Sequence, residues 1–296
     1  MEQFVVTTIR LSVPLIFAGL GGLFSVRAGI FHIGIEGLML AGAFVTVGLG
    51  TVTGSVWLGI IGAIIVNLIL SFVYWLLIDR FKADMIITGL GLTTLCVGGT
   101  AFLMNALFNK RGSMTSAVRL PQPVVGPQEG ILAYVSELSI LAWLLPIFVF
   151  IVWLLLRRSR LGLHIAAVGE YPYAAEAAGV DISHTKLVAM LITGLCCALA
   201  GAELSVGGLA AFSENMTNGR GFIALAAILF GSLEPIRTTL AGLFFGLANA
   251  VGINSQIYAG ESNIPRQFIL MIPFIATMIF VTLRGVLSQR RISHGS

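Results

Sequence analysis

Long apolar runs without charge constrain this chain more strongly than any other feature of its sequence. Two of them, residues 55–78 and 138–156, contain no Asp, Glu, Lys or Arg. Each is long enough to cross a hydrocarbon layer of about 30 Å as a helix that rises about 1.5 Å per residue. Only 10% of the residues are charged, whereas soluble domains carry about 25%. The sequence therefore predicts a protein that crosses a membrane several times.

An all-α bundle is the fold that these runs predict. Lipid leaves only helices and closed barrels able to satisfy every backbone hydrogen bond, and a barrel would alternate polar and apolar residues over about ten positions. With broken helices included, we expect about 8–10 membrane helices in a single domain, residues 1–296, without a cleavable signal peptide. The predicted spans lie near 11–26, 37–54, 56–78, 85–107, 138–156, 186–208, 238–256 and 267–284.

Two glycine-rich breaks, 27–37 and 214–222, hold charge that the apolar runs exclude. The second break leads into the apolar run 222–233, which is too short to cross the membrane alone. We therefore expect this run to be a half-helix. Interrupted segments at corresponding places in the two halves of a transporter point to a site at the middle of the membrane. The pattern thus predicts a two-half pseudo-repeat with a central site.

The ionisable side chains of the first break are expected to face the bundle interior or a wet cavity, because an unpaired charge in the bilayer is costly. Arg27 and Glu36 could neutralise each other only if the break folds back, since a continuous helix would separate them by about 13.5 Å. Glu36 is interpreted as a structural carboxylate near the positive end of a helix that begins close to Phe31. His32 would lie on the same face of that helix, either lining the substrate path or packed in the core.

The second break carries side chains that suit a polar organic ligand. Asn218 offers an amide and Phe222 an aromatic face, which are groups that a nucleoside would use. Arg220 either aims a donor into the path or anchors at the lipid headgroups. The predicted substrate path consists of His32, Gly34, Glu36, Asn218, Arg220 and Phe222.

Other embedded groups are interpreted as packing contacts. Glu203 and Asn249 lie within later spans and are expected to form hydrogen bonds between helices. The pair Gly242 and Gly246 predicts a close-packing helix face. The three cysteines lie inside apolar runs, so neither a disulfide nor a metal site is expected.

Basic residues predict the orientation, because Lys and Arg collect on the cytoplasmic side of membrane proteins. The clusters 80–82, 157–160 and 284–291 fall on one side if two spans separate the first two clusters and an even number separates the last two. This side is expected to be cytoplasmic and to include the C-terminus, and the loop 108–137 is expected outside. The net charge of +4 is thus interpreted as a signal of membrane orientation and not of nucleic-acid binding.

The segment 167–186 is the longest polar stretch on the basic side. Pro172 suits the first turn of a helix, and the following YAAEAA favours helix strongly. Gly179 is placed to end that helix in a left-handed cap, and Asp181 or Ser183 can cap the next span. The pattern predicts a short surface helix between two spans, with a solvated connector as the alternative.

Three motifs, in this order along the chain, resemble the permease subunits of ABC importers for nucleosides and simple sugars, which belong to the branched-chain amino acid and sugar permeases. The motifs are RAGIFHIGIEGLMLAGAF, AVGE-x-P-x-AA-x-AAG and MTNGRGFIALAAILFG. The second is similar to the cytoplasmic coupling loop that docks into the ATP-binding subunit, here 157–186. His32 and Tyr171 stand where the family usually has Asn.

The resemblance implies a transport subunit, not an enzyme, in a bacterial-type plasma (inner) membrane. It implies ATP-binding cassette subunits, a second permease subunit and an external substrate-binding protein as partners. ATP would bind to the partner subunits, because the chain has no Gly-Lys dipeptide and hence no P-loop. No cofactor is expected on this chain. The implied ATPase-coupling residues are Gly169, Glu170, Pro172, Ala175, Ala178 and Gly179.

Two other functions are weighed against this one. An ion-coupled secondary transporter or channel, acting without ATPase subunits, would also use broken helices and a buried carboxylate. An intramembrane enzyme is disfavoured, because the sequence has neither a metal-binding HExxH motif nor a GxSxG nucleophile elbow. The organised polar loop on the basic side favours the ATP-driven permease over both.

Overall fold

A computed structural model describes residues 2–123, 136 and 138–258 of the chain. The described residues form an all-α bundle with one two-stranded sheet. The helices are α1 Glu2–Arg27, α2 Ile35–Thr53, α3 Val56–Asp79, α4 Met85–Phe108, α5 Ile140–Arg158, α6 Arg160–Glu170, α7 Pro172–Ala177, α8 Ile182–Ala202, α9 Arg220–Phe230 and α10 Pro235–Tyr258. A π-helical segment, Glu203–Leu209, continues α8, and the strands are β1 Ser113–Thr115 and β2 Ala211–Ser213.

Seven helices of the described part are long and apolar enough to cross a membrane. They are α1 to α5, α8 with its π-helical continuation, and α10. This confirms the all-α fold and most predicted spans to within a few residues, although α1 begins at Glu2 and not near residue 11. Helix α9 has 11 residues and is the short helix expected from the run 222–233. The predicted span 267–284 lies outside the described residues.

The core is built around α2, which is buried on nearly all sides and packs against α3, α4, α8 and α9. A Cβ built on Gly42 of α2 would lie 3.0 Å from the Cα of Ala198 in α8, and one built on Gly201 would overlap the Met39 carbonyl. Glycine therefore lets these backbones approach closely, as is usual where lipid removes the hydrophobic driving force between helices.

Helices α1 and α10 pack in the same way. A Cβ on Gly242 would lie 2.7 Å from Cγ1 of Ile16, and one on Gly246 would overlap the Ser12 hydroxyl. The predicted close-packing face at Gly242 and Gly246 is confirmed.

Lys and Arg are more numerous at one end of the bundle than at the other. At one end, Ser183 joins the start of α8 to the end of α3: its carbonyl accepts from Trp75 Nε1 at 3.2 Å, and its hydroxyl donates to Asp79 Oδ2 at 2.6 Å. The other end, where β1 and β2 pair, is called the strand end. We call the first the basic end, because it carries Arg27, Arg80, Lys82, Arg157, Arg158, Arg160, Lys186 and Arg237.

The strand end is fastened by the antiparallel pair β1–β2, which joins the loop after α4 to the segment between α8 and α9. The register sets Ser113 opposite Ser213 and Met114 opposite Phe212. The Phe212 ring is fully buried and lies 5.2 Å from the ring of Phe44 in α2. The pair thus ties an outer loop to the segment that leads back into the bundle.

The register can be tested by a disulfide between Ser113→Cys and Ser213→Cys. The Glu214 amide donates to the Gly112 carbonyl at 2.9 Å, so positions 113 and 213 form a non-hydrogen-bonded pair. Such pairs place their Cα atoms about 4.5 Å apart, within disulfide range. We expect rapid oxidation, measured as loss of free thiols in a background without the three native cysteines. The mismatched pair Ser113→Cys with Ala211→Cys should oxidise much more slowly, and equal rates would contradict the register.

Candidate functional site

The first break is a helix end followed by a four-residue bridge. Gly29 has φ of +80°, its amide donates to the Val26 carbonyl at 3.1 Å, and the Ile30 amide donates to the Ser25 carbonyl at 2.9 Å. This is the Schellman arrangement, in which a left-handed glycine closes a helix. The next helix then begins at Ile35, so the expected start near Phe31 is wrong.

The later start changes where His32 lies. It stands in the bridge before α2 and does not share a helix face with Glu36, which corrects that expectation. The imidazole is fully buried, with its ring 4.1 Å from the ring of Tyr74 in α3. Neither ring nitrogen has a hydrogen-bond partner among the described residues. Gly34, the residue before α2, packs against the imidazole and against Leu92 of α4. In this conformation His32 therefore presents no surface to a ligand.

Glu36 joins the two breaks. It is buried in the first turn of α2, and its carboxylate accepts from the Gly219 amide at 2.8 Å and from the Gly221 amide at 2.5 Å. The following turn of α2 lies at mid-depth, because the Leu38 carbonyl accepts from Nδ2 of Asn67, midway along α3. The contact between the breaks is therefore close to the middle of the bundle.

The electrostatics of this contact follow from two helix ends. Helices α2 and α9 both begin here, and neither has a side-chain cap from the residue that precedes it. Each N-terminus carries unsatisfied amides and partial positive charge. The single carboxylate of Glu36 lies at the N-termini of both helices and binds two of the free amides of α9. This arrangement stabilises a half-helix that would otherwise end, uncapped, inside the membrane.

Arg27 and Glu36 do not pair. Arg27 Nε donates instead to the Leu233 carbonyl at 2.8 Å, at the turn between α9 and α10. Arg220, the cation of the second break, folds back on the turn that precedes it, where its Nη1 donates to the Met216 carbonyl at 2.7 Å. Arg27, Glu36 and Arg220 thus all use backbone atoms as their partners.

Asn218 and Phe222 lie on the surface beside this contact. Both side chains are exposed, and Asn218 has φ of +42°, in the left-handed region. The amide and the aromatic ring are therefore open to a ligand or to a neighbouring subunit. The structure brings Glu36 and Arg220 to the contact itself and leaves His32 buried elsewhere, against α3.

The polar loop at the basic end consists of two helices, α6 and α7. Ser159 caps α6 by accepting from the Gly162 amide at 3.1 Å, a cap that is not among those predicted from the sequence. Pro172 begins α7, and Gly179 ends it with φ of +84° in a second Schellman turn, as predicted. Of the two expected caps of α8, Asp181 is the one observed, with the His184 amide at 2.9 Å.

Most of the predicted coupling residues are accessible at this loop. Ala175 is buried, Gly169 and Pro172 are partly buried, and Glu170, Ala178 and Gly179 are exposed. Two aromatic side chains project here as well, Tyr171 and Tyr173, which are 71% and 86% exposed. Tyr173 had no local pattern to single it out. Exposed tyrosines are enriched where a protein surface binds a partner.

Glu203 links α8 to α5, as expected for a helix–helix contact. Its buried carboxylate accepts from the Ser139 hydroxyl at 2.6 Å, and Ser139 also caps α5 by accepting from the Ala142 amide at 3.1 Å. The cysteines are buried and free. Within the described part of the chain, no cluster of three or more His, Cys, Asp or Glu side chains is arranged to hold a metal ion.

Comparison with known proteins gives consistent matches along most of the chain. The family described as "Branched-chain amino acid transport system / permease component" matches residues 4–282. The guanosine ABC transporter permease protein NupQ of Bacillus subtilis is 31% identical over 299 residues, covering 95% of this chain and 92% of its own. The putative glucose ABC transporter permease protein TsgC13 of Haloferax volcanii is 35% identical, with 92% and 84% covered. The nucleoside ABC transporter permease protein NupC of Lactococcus lactis is 28% identical, with 96% and 92% covered.

Proposed function

The chain belongs to the family of branched-chain amino acid transport system permease components, and on that premise we propose that it forms the membrane path of an ATP-driven importer for nucleosides or related simple sugars. Substrate would move toward the cytoplasm by alternating access. The names of the relatives support this substrate class, since two carry guanosine or nucleoside and one carries glucose.

The contact of Glu36 with the amides of Gly219 and Gly221, called the midplane contact, supports a substrate path through the bundle. Two interrupted helices meet at Glu36, and such interruptions line substrate sites in many transporters. Asn218 and Phe222 lie exposed beside that contact and offer the amide and the aromatic face that a nucleoside would use. Glu36 itself is committed to two backbone amides, so its role in the path is structural.

The observation that carries ATP coupling is the exposed helical loop α6–α7 at the basic end. ATP-binding subunits would dock here, against Tyr171 and Tyr173, and this end would face the cytoplasm because it is rich in Lys and Arg. A second permease subunit would complete the path, and an external binding protein would deliver substrate at the strand end. An ion-coupled transporter acting alone has no use for such a loop.

Reconstitution tests this function. The chain, co-expressed with candidate ATP-binding subunits and the second permease, is placed in proteoliposomes with the external binding protein. We expect ATP-dependent uptake of labelled guanosine or glucose. Uptake that proceeds without any ATP-binding subunit, driven by an ion gradient, would overturn the proposal.

Gly179→Val should uncouple this transporter. No described atom lies within 4 Å of a Cβ at Gly179, but its φ of +84° disfavours a β-branched residue. The end of α7 should therefore distort, at a cost of about 1–2 kcal/mol. We expect uptake per ATP hydrolysed to fall several-fold while the complex still assembles. The matched control is Ala177→Val, at an exposed position inside α7 that does not need the left-handed conformation, and an equal loss there would contradict the argument.

A further inference from the structure

The far end of the half-helix α9 is held in an unusual turn. Ser232 and Leu233 have φ of +52° and +60°, a conformation that residues with side chains rarely adopt. The Leu233 amide donates to the Ile228 carbonyl at 3.2 Å, which closes the end of α9. The Leu233 carbonyl accepts from Arg27 Nε at 2.8 Å. A side chain from α1 therefore holds the turn through which α9 enters α10.

The backbone of Arg27 contacts the coupling loop at the same time. Gly169, near the end of α6, lies so close to the Arg27 carbonyl that a Cβ on Gly169 would overlap it. A Cβ on Gly29, two residues further, would lie 3.5 Å from the Gly169 Cα. Arg27 thus touches the loop with its main chain and the α9–α10 turn with its side chain.

Neighbouring charges fix the turn further. Glu234, the residue after Leu233, is paired with Arg157 at the end of α5. Glu170, which ends α6, is another charge close to Arg27. The ends of α1 and α5 therefore meet at this turn, the end of α6 is linked to it through Arg27, and the Arg27 side chain binds the backbone of the turn.

We infer that Arg27 is a positioning residue that carries movement of the coupling loop into α9, and through α9 to the contact between Glu36 and the amides of Gly219 and Gly221. Helix α9 has 11 residues and is about 16 Å long, so a displacement at the Leu233 end is passed along a short, rigid element. This inference rests on the proposed function, because the movement begins when ATP-binding subunits act on the loop.

The test compares Arg27→Met with Arg237→Met in the reconstituted complex. Met reaches about as far as the Nε position of arginine but donates no hydrogen bond. Arg237 is an exposed arginine in the first turn of α10, close to the α9–α10 turn. We expect Arg27→Met to assemble and to retain basal ATP hydrolysis, while uptake per ATP falls at least tenfold. Arg237→Met should behave as the unaltered chain.

A second variant disturbs the contact between the coupling loop and Arg27 by a change in the loop. Gly169→Ala forces the loop away from the Arg27 carbonyl and should give the same loss of coupling, whereas Gly98→Ala, with no described atom within reach of its Cβ, should not. Normal uptake per ATP in both Arg27→Met and Gly169→Ala would overturn the inference, and so would a loss of uptake that only follows a loss of assembled complex. If the unaltered chain assembles with no ATP-binding subunit, the proposed function fails first and the inference with it.

Discussion

Replacing Glu36 with alanine is expected to abolish uptake and to destabilise the protein markedly. The variant leaves the buried amide of Gly221 and the partly buried amide of Gly219 without their acceptor. An unsatisfied buried group costs about 1–3 kcal/mol and a partly buried one costs less, so the loss is about 1–6 kcal/mol. The positive ends of α2 and α9 also lose their shared anion. Uptake by cells and the unfolding temperature of the purified protein in detergent measure the two effects.

Two glutamine variants sharpen this prediction. Glu36→Gln keeps the shape but offers only one oxygen to two amides, so its loss should fall between those of the unaltered chain and Glu36→Ala. Glu214→Gln is the matched control, because Glu214 is exposed and accepts from one amide only, that of Gly112 at 2.8 Å. Its effect should stay within about 0.5 kcal/mol. Full activity of Glu36→Ala would show that the carboxylate does not hold the breaks together.

The membrane spans were predictable because lipid applies a single strong rule. A segment without internal hydrogen bonds cannot lie in the bilayer, so apolar runs of sufficient length mark helices such as α3 and α5 almost to the residue. The rule is weaker where a helix begins in polar sequence. Helix α1 extends back past Thr7, Thr8 and Arg10 to Glu2. Apolar residues alone do not mark these first turns, because they contain polar and charged side chains.

The start of α2 depends on which glycine of the first break ends α1. Glycines at 29, 34 and 37 all suggested a break between 27 and 37, but the sequence did not say which of them ends α1. Gly29 does so with a left-handed Schellman turn. With α1 closed at Gly29, α2 begins beyond Phe31, so His32 does not share a helix face with Glu36.

The partners of the embedded charges could not be read from sequence at all. Glu36 binds amides 183 and 185 residues away, and Arg27 binds a carbonyl 206 residues away. These partners are backbone atoms, which every residue possesses, so no side-chain pattern marks them. The strands β1 and β2 have three residues each and show no alternation long enough to detect. Only the packing of the whole bundle around α2 brings such segments together.

Two glycine-to-alanine variants are expected to have different effects, which separates the cost of a close backbone contact from the gain in helix propensity. A Cβ on Gly221 would lie 2.5 Å from the Cα of Glu36 and 2.7 Å from its Oε2. Gly221→Ala must therefore push α9 away from α2 and break the bonds to the carboxylate, at about 1–3 kcal/mol for overpacking alone. We expect uptake to fall at least tenfold and the unfolding temperature to drop.

Gly98→Ala, by contrast, adds its methyl group where no described atom lies within 4 Å, in the interior of α4. Alanine is favoured over glycine inside a helix by about 1 kcal/mol, so the unfolding temperature should stay constant or rise while uptake is retained. If Gly221→Ala were as well tolerated as Gly98→Ala, α9 would have to shift freely against α2. The half-helix would then not be fixed by Glu36, and neither the midplane contact nor the transmission from Arg27 through α9 would stand.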